Sequence, residues 1–161
     1  MTGLLAGDAL NFTGAVTVGI ADASGNLQHR IAVDFDAGTQ TRLLHFGAAP
    51  PPGAPSWQGR SIATWEYGNA ARGNTARTGN LRVVTTNLKA GYVRKNGAPY
   101  SDRTTMTEFF DVNTLPNGDQ YLTITTRVED PVYFTRPYIT TSDFKKLPDN
   151  TGWNPTPCTA E

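Results

Sequence analysis

At 161 residues the chain is the size of one domain, long enough to bury a core without disulfides or metals. Lys+Arg and Asp+Glu are equal at 14 each, so the basic excess that steers proteins to nucleic acid or anionic membranes is missing. A lone cysteine, Cys158, excludes an internal disulfide and, with no Cys/His set, a zinc site; the composition calls for no cofactor. No run of 18 apolar residues marks a spanning helix, and "MTGLLAGDALNF" lacks the basic start and long apolar stretch of a signal peptide.

Charged residues make up 17% of the chain, below the usual share of about 25%, and Thr, Asn and Gly take their place. Apolar residues recur at spacing two, with turn residues every ten positions or so, which predicts an all-β chain. "NFTGAVTVGIAD" is the first strand, with Val16, Val18 and Ile20 on one face. "ASGN" turns it into "LQHRIAVDFD", where His29, Ile31, Val33 and Phe35 share a face, and the two strands form a hairpin. "TRLLHFG" follows, and then "AAPPPGAPSWQG" (48–59), a long connection whose prolines fit no central strand. "RSIATWEY" carries Ala63, Trp65 and Tyr67 on one face. After the polar loop 68–80, "LRVVTTNLKAGYVRK" reads as one strand with an irregularity at Gly91. Asn96-Gly97 is a hairpin turn into "RTTMTEFFDV", and "NTLPNGD" a second turn into "QYLTITTRVED". "PYITTSDFKK" is the last strand. The expected domain is a single β unit spanning 1–161, with flexible tails at 1–10 and, Pro-rich, at 147–161.

Short, sequence-local connections favour a single antiparallel barrel of about eight strands, lipocalin- or calycin-like, with a two-sheet β-sandwich as the alternative. The blocks "WQGRSIATWE", "LRVVTTNLKAGYVRKNGAPYSDRTTMTEFF", "VEDPVYFTRPY" and "FKK…WNPTPC" resemble a family of exported β-rich proteins of soil bacteria whose reaction is not established. The resemblance runs from about Trp57 to Cys158. It implies a secreted or periplasmic protein and a partner for Cys158 outside this sequence. The chain departs from the family pattern at "WEYGNAARGNTARTGN", where a longer loop replaces a tight turn.

Glu108 is the most informative charged residue, since alternation places it on an apolar face with Met106 and Phe110. A carboxylate there must be paired, protonated or at a site. Arg94, Arg103 and Lys89 are the candidate structural partners. If Glu108 converges with Asp130, which ends the face of Leu122, Ile124 and Val128, the two form a carboxylate pair for acid–base work; otherwise Asp130, before Pro131, starts a turn. Lys89 and Arg94 as donors, with Trp65, Tyr92, Tyr100 and Tyr133 as amphipathic walls, are candidate ligand contacts. His29 and His45 are the only histidines, and no spacing favours a metal site. Three functions stay open: binding of a small apolar or aromatic ligand inside the barrel, a small lyase-, isomerase- or hydrolase-type enzyme, and a self-assembling structural protein, which would be a homo-oligomer.

Overall fold

A computed structural model describes residues 10–11, 20–21, 27–36, 38–47, 51–67, 79–93, 97–149 and 152–157. Its elements are β1 (Leu10–Asn11), β2 (Ile20–Ala21), β3 (Leu27–Phe35), β4 (Gln40–Phe46), β5 (Arg60–Tyr67), β6 (Gly79–Thr86), β7 (Gly91–Tyr92), β8 (Pro99–Tyr100), β9 (Thr105–Thr114), β10 (Gln120–Glu129) and β11 (Tyr138–Lys145). Among the described residues there is no helix. The strands β3-β4-β5-β6-β9-β10-β11 pair in that order as a curled half-barrel sheet. β1 and β2 both pair with β3, as the two ends of the expected first hairpin; Val16 and Val18, between them, lie outside the described residues.

Alternation builds the concave face. Val33, Leu44, Ala63, Leu81, Val83, Phe110 and Ile124 form its buried core, with Ile31, Phe35, Phe46, Leu122 and Phe144 packed against it. The register agrees strand by strand: Ile31 opposes Leu44, Leu81 opposes Phe110, and Phe110 opposes Ile124. A one-residue slip would turn this whole set to the opposite face, so burial pins the register. A second, smaller core of Leu88, Val93, Tyr100, Met106 and Val128 lies at the end where β9 begins and β10 ends.

Two expectations are corrected. The expected strand 81–95 stops at Thr86, because Asn87 takes a φ of +58° and breaks the ladder; the chain then makes only the short β7–β8 hairpin, whose Gly97 has φ +88°. The fully antiparallel sheet also fails at one seam. β4 and β5 run parallel, with Leu44 opposite Ser61, His45 opposite Ile62 and Phe46 opposite Ala63. Parallel neighbours cannot be joined by a tight turn and need a crossover of about a dozen residues over one face of the sheet. Residues 47–59, which include the Pro-rich stretch, are that crossover.

The crossover is tied down at its far end. The backbone of Ser56 bonds to Asn87 and to Lys89, and the Asn87 side chain donates to the carbonyls of Gly53 and Ala54. Thr156 makes backbone hydrogen bonds to Asp36 and Gly38 in the β3–β4 turn. Cys158 lies outside the described residues.

Gly59 closes the crossover at φ +63°, where a Cβ would stand 2.5 Å from the Thr86 carbonyl oxygen. Left-handed backbone and overpacking together predict that Gly59→Ala costs about 2–3 kcal/mol. Gly53→Ala, at a position with nothing within 4 Å, should be neutral or slightly stabilising. Urea denaturation of the two variants checks both.

Candidate functional site

Glu108 is buried at 2% exposure in the core, and its partner is Arg42. The guanidinium donates from one terminal nitrogen to Oε1 at 3.1 Å and from the other to Oε2 at 2.5 Å. Its remaining donors meet Ser61 Oγ at 3.1 Å and Thr85 Oγ1 at 2.7 Å, and those two hydroxyls bond each other at 2.8 Å. β5 and β6 lie between the strands that carry the pair. Three interstrand spacings would put β4 and β9 about 14 Å apart in a flat sheet, so the contact is a chord across the curl.

This corrects the expected partners: Glu108 pairs with Arg42 and not with Lys89 or Arg103, while Arg94 lies outside the described residues. The signal was present in "QTRLLHF", where alternation puts Arg42 on the face of Leu44 and Phe46. Each carboxylate oxygen accepts from one arm of a bidentate arginine, which suits a structural clamp.

Asp130 lies elsewhere. Thr126, opposite Glu108, is four residues before it, about 13 Å along the strand. Its Oδ2 accepts from the Ser101 amide at 2.6 Å, from Ser101 Oγ at 2.7 Å and from the Thr104 hydroxyl. Its Oδ1 accepts from the Val132 and Tyr133 amides, each at 2.8 Å. Burial works against the charge, but the bonds from Thr104, Ser101 and Tyr133 outweigh it and hold the carboxyl well below the usual carboxylate range. Asp130 thus starts the turn after β10 and pins it to the segment before β9.

The candidate ligand contacts do not converge. Tyr100 is fully buried in the smaller core, with its hydroxyl pKa pushed up by burial. Tyr92, 62% exposed, and Tyr133 are on the surface. Lys89 lies 5.5 Å over the exposed ring of Trp57. Trp65 stacks on Phe46 at 6.2 Å. Trp65 opposes Leu81 at one end of β6, and Lys89 follows the other end, about 26 Å farther along the chain. Arg94 and the side chain of His29 lie outside the described residues.

A cavity of about 280 Å³ does occupy the seam where the crossover lies against β4. Thr41, Leu43, His45 and Arg60 line it from the strands, Pro51, Gly53, Ala54, Ser56 and Gln58 from the crossover, and Asn87 from beyond β6; Arg42 and Ser61 reach it from the clamp. Gln58 donates to Gln40 at 3.3 Å across the gap. Nδ1 of His45 is buried without a hydrogen-bond partner. Burial, and then the charges of Arg30 and Arg60, push the His45 pKa down, so the ring is neutral near pH 7. No sequence pattern marked this site, because its walls come from separate stretches joined only by the parallel pairing. Compared with family models, with curated proteins and with solved structures, the chain matches none. Among the described residues no group of three or more His, Cys, Asp or Glu is placed to hold a metal ion, and no helix is long and apolar enough to cross a membrane.

Removing one half of a buried ion pair strands the other charge. Glu108→Leu should therefore cost about 3–5 kcal/mol, and the double variant Arg42→Leu/Glu108→Leu should recover most of that loss. Denaturant melts of the three proteins test this. For Asp130 the folded state lowers the carboxyl pKa, so its stabilisation is full above the unfolded value of about 3.9 and is lost as pH falls through and below it. The stability gap between the wild type and Asp130→Asn should be widest above about pH 5 and shrink in acid, measured by denaturation across pH.

Proposed function

We propose that the protein is a binding protein for a small, negatively charged molecule, held in the cavity between β4 and the crossover. One observation carries the reading: among the described residues the cavity lining contains two arginines and a histidine and no carboxylate. Arg42 is balanced by Glu108, and Asp34, the nearest acid on the neighbouring strand, accepts a hydrogen bond from Thr41 at 2.5 Å. Arg60 in the lining, and Arg30 opposite His45 on β3, both act on the His45 ring as positive charges. Hydroxyls and amides of Thr41, Ser56, Gln58 and Asn87 supply polar contacts around an anion, while Leu43, Pro51 and Ala54 supply apolar wall. The volume stands at the low end for ligand sites, which suits a small metabolite.

This reading moves the ligand away from the interior of a lipocalin-like barrel. The concave face is occupied by packed apolar side chains and by the Arg42–Glu108 clamp. It also favours binding over acid–base chemistry, since both candidate carboxylates have their oxygens taken up by protein donors. An exported setting, as the resemblance implies, is compatible with a ligand-capture role.

A thermal-shift screen tests the proposal with paired anions and neutral isosteres, benzoate against benzamide for example. A ligand at ten times its Kd should add about 1.4 kcal/mol, raising the Tm by about 3–6 °C. The neutral isostere should give little shift, and Arg60→Gln should abolish the difference. Equal shifts from both members of each pair would reject an anion site.

A further inference from the structure

We infer that residues 51–55 are a movable wall of this cavity, latched by the side chain of Asn87 and closing on the bound molecule. The occupant is the small anion proposed above, and in that respect the inference rests on that reading and deepens it. The two sides of the cavity differ in how they are held. On one side Thr41, Leu43 and His45 belong to β4, which pairs with β3 along its length and with β5 from Leu44. On the other side stand Pro51, Gly53 and Ala54. Residues 51–55 are exposed, have no strand partner and belong to neither hydrophobic core. Among the described residues, the only hydrogen bonds to this segment come from Asn87 Nδ2, to the Gly53 carbonyl at 3.0 Å and the Ala54 carbonyl at 3.4 Å. Both bonds are exposed, so water competes for the same carbonyls and their net worth is small. A segment with few packed contacts and solvent-exposed hydrogen bonds opens at low free-energy cost.

The post that carries the latch is rigid by contrast. Asn87 takes a φ of +58°, which Asn tolerates better than most residues, and this turns the chain out of the β6 ladder. On one side of it Thr86 pairs with Arg60, and on the other Leu88 is buried at 1% exposure in the smaller core. The Ser56 amide donates to the Asn87 carbonyl at 3.2 Å, and the Lys89 amide donates to the Ser56 carbonyl at 2.9 Å. Ser56 is therefore a fixed point, and 51–55 is the span that extends from it. Pro51, Pro52 and Pro55 lock three of its five φ angles, so the span swings as a unit. Movement away from β4 releases the two Asn87 bonds and widens the cavity; the return re-forms them. A bound molecule packs against Pro51, Gly53 and Ala54 only in the closed position, and that differential contact favours closure.

NMR relaxation of the backbone amides of the full chain tests this, read at Gly53 and Ala54. In the wild type both should be nearly as ordered as the strands, with order parameters of about 0.8. Asn87→Gly keeps the positive φ and removes both bonds, and Asn87→Asp keeps the shape of the side chain without its donor. In both variants the order parameters at Gly53 and Ala54 should fall below about 0.6, while Leu43 and Leu44 stay rigid. Saturating benzoate should restore order at the two amides of Asn87→Gly, with an affinity about 3- to 10-fold weaker than the wild type's, the factor that the net worth of one hydrogen bond implies. Unchanged order at Gly53 and Ala54 in both variants would overturn the latch. Loss of order that spreads to Leu44 and Ile124 would overturn it too, by making Asn87 a residue of the fold as a whole. Benzoate bound while the two amides stay disordered would overturn the closure. Benzoate binding to neither protein, together with no anion preference in the thermal screen, would remove the anion reading and leave the latch to stand or fall on the ligand-free proteins.

Discussion

The parallel pairing of β4 with β5 is the constraint from which the cavity follows. The other long strands pair antiparallel and are satisfied by turns or by loops at the sheet ends. A parallel neighbour obliges the chain to return along the sheet before the next strand starts, and that return has to lie across one face. Here it lies against Thr41, Leu43 and His45, the residues of β4 that alternate with the core set Arg42, Leu44 and Phe46. Prolines suit such a segment, since they need no ladder partner. Its backbone polar groups find theirs on Asn87 and Lys89 instead. The cavity is the space left where a stiff, irregular segment crosses a pleated surface without the alternation needed to fill it.

The Arg42–Glu108 pair does a different task on the opposite face. Burying two charges is expensive, and an apolar pair of similar volume often serves stability as well or better. What the ion pair adds is geometry. A bidentate guanidinium has a fixed fork, and here it also engages Ser61 and Thr85 on the two intervening strands, so one side chain ties its own strand to three others. A register shift in any of them would leave a charge or a hydroxyl buried without a partner. The clamp also lies beside the cavity, since Arg42 and Ser61 contribute to its lining. The site is thereby backed by a rigid network instead of by mobile apolar packing.

What could be read from the sequence was local. β5 and β10 follow from alternation almost to the residue, and Gly97 and Gly118 take the positive φ that their Asn-Gly turns predict. Asp130 illustrates the same strength: an Asp before Pro caps its own turn, and the amides of Val132 and Tyr133 answer it. Glu108 was legible as a problem, a carboxylate on an apolar face, but its partner lies 66 residues away. Proximity in sequence favoured the cations of the neighbouring hairpin, although Arg42 stood on an equally apolar face of its own strand. The spacing of the aromatic and basic candidates depends on strand direction in the same way. Trp65 and Lys89 flank neighbouring strands, yet antiparallel pairing sends them to opposite ends of the sheet.

The cavity was illegible for a stricter reason. Thr41 and His45, Gln58 and Arg60, and Asn87 carry no shared motif, and none is unusual in its own stretch. They meet because β4 and β5 run the same way and because Asn87 departs from strand geometry to hold the crossover. Neither fact follows from alternation, which reports the face of a residue and not the direction of its neighbour. A Pro-rich connection of this length between two strands is compatible with a wide hairpin or with a crossover. The choice is made by the total burial of the sheet. In the parallel arrangement Leu44 and Ala63 enter one core while His45 and Arg60 are left together under the loop, so a single decision about strand direction sets both the packing and the chemistry of the site.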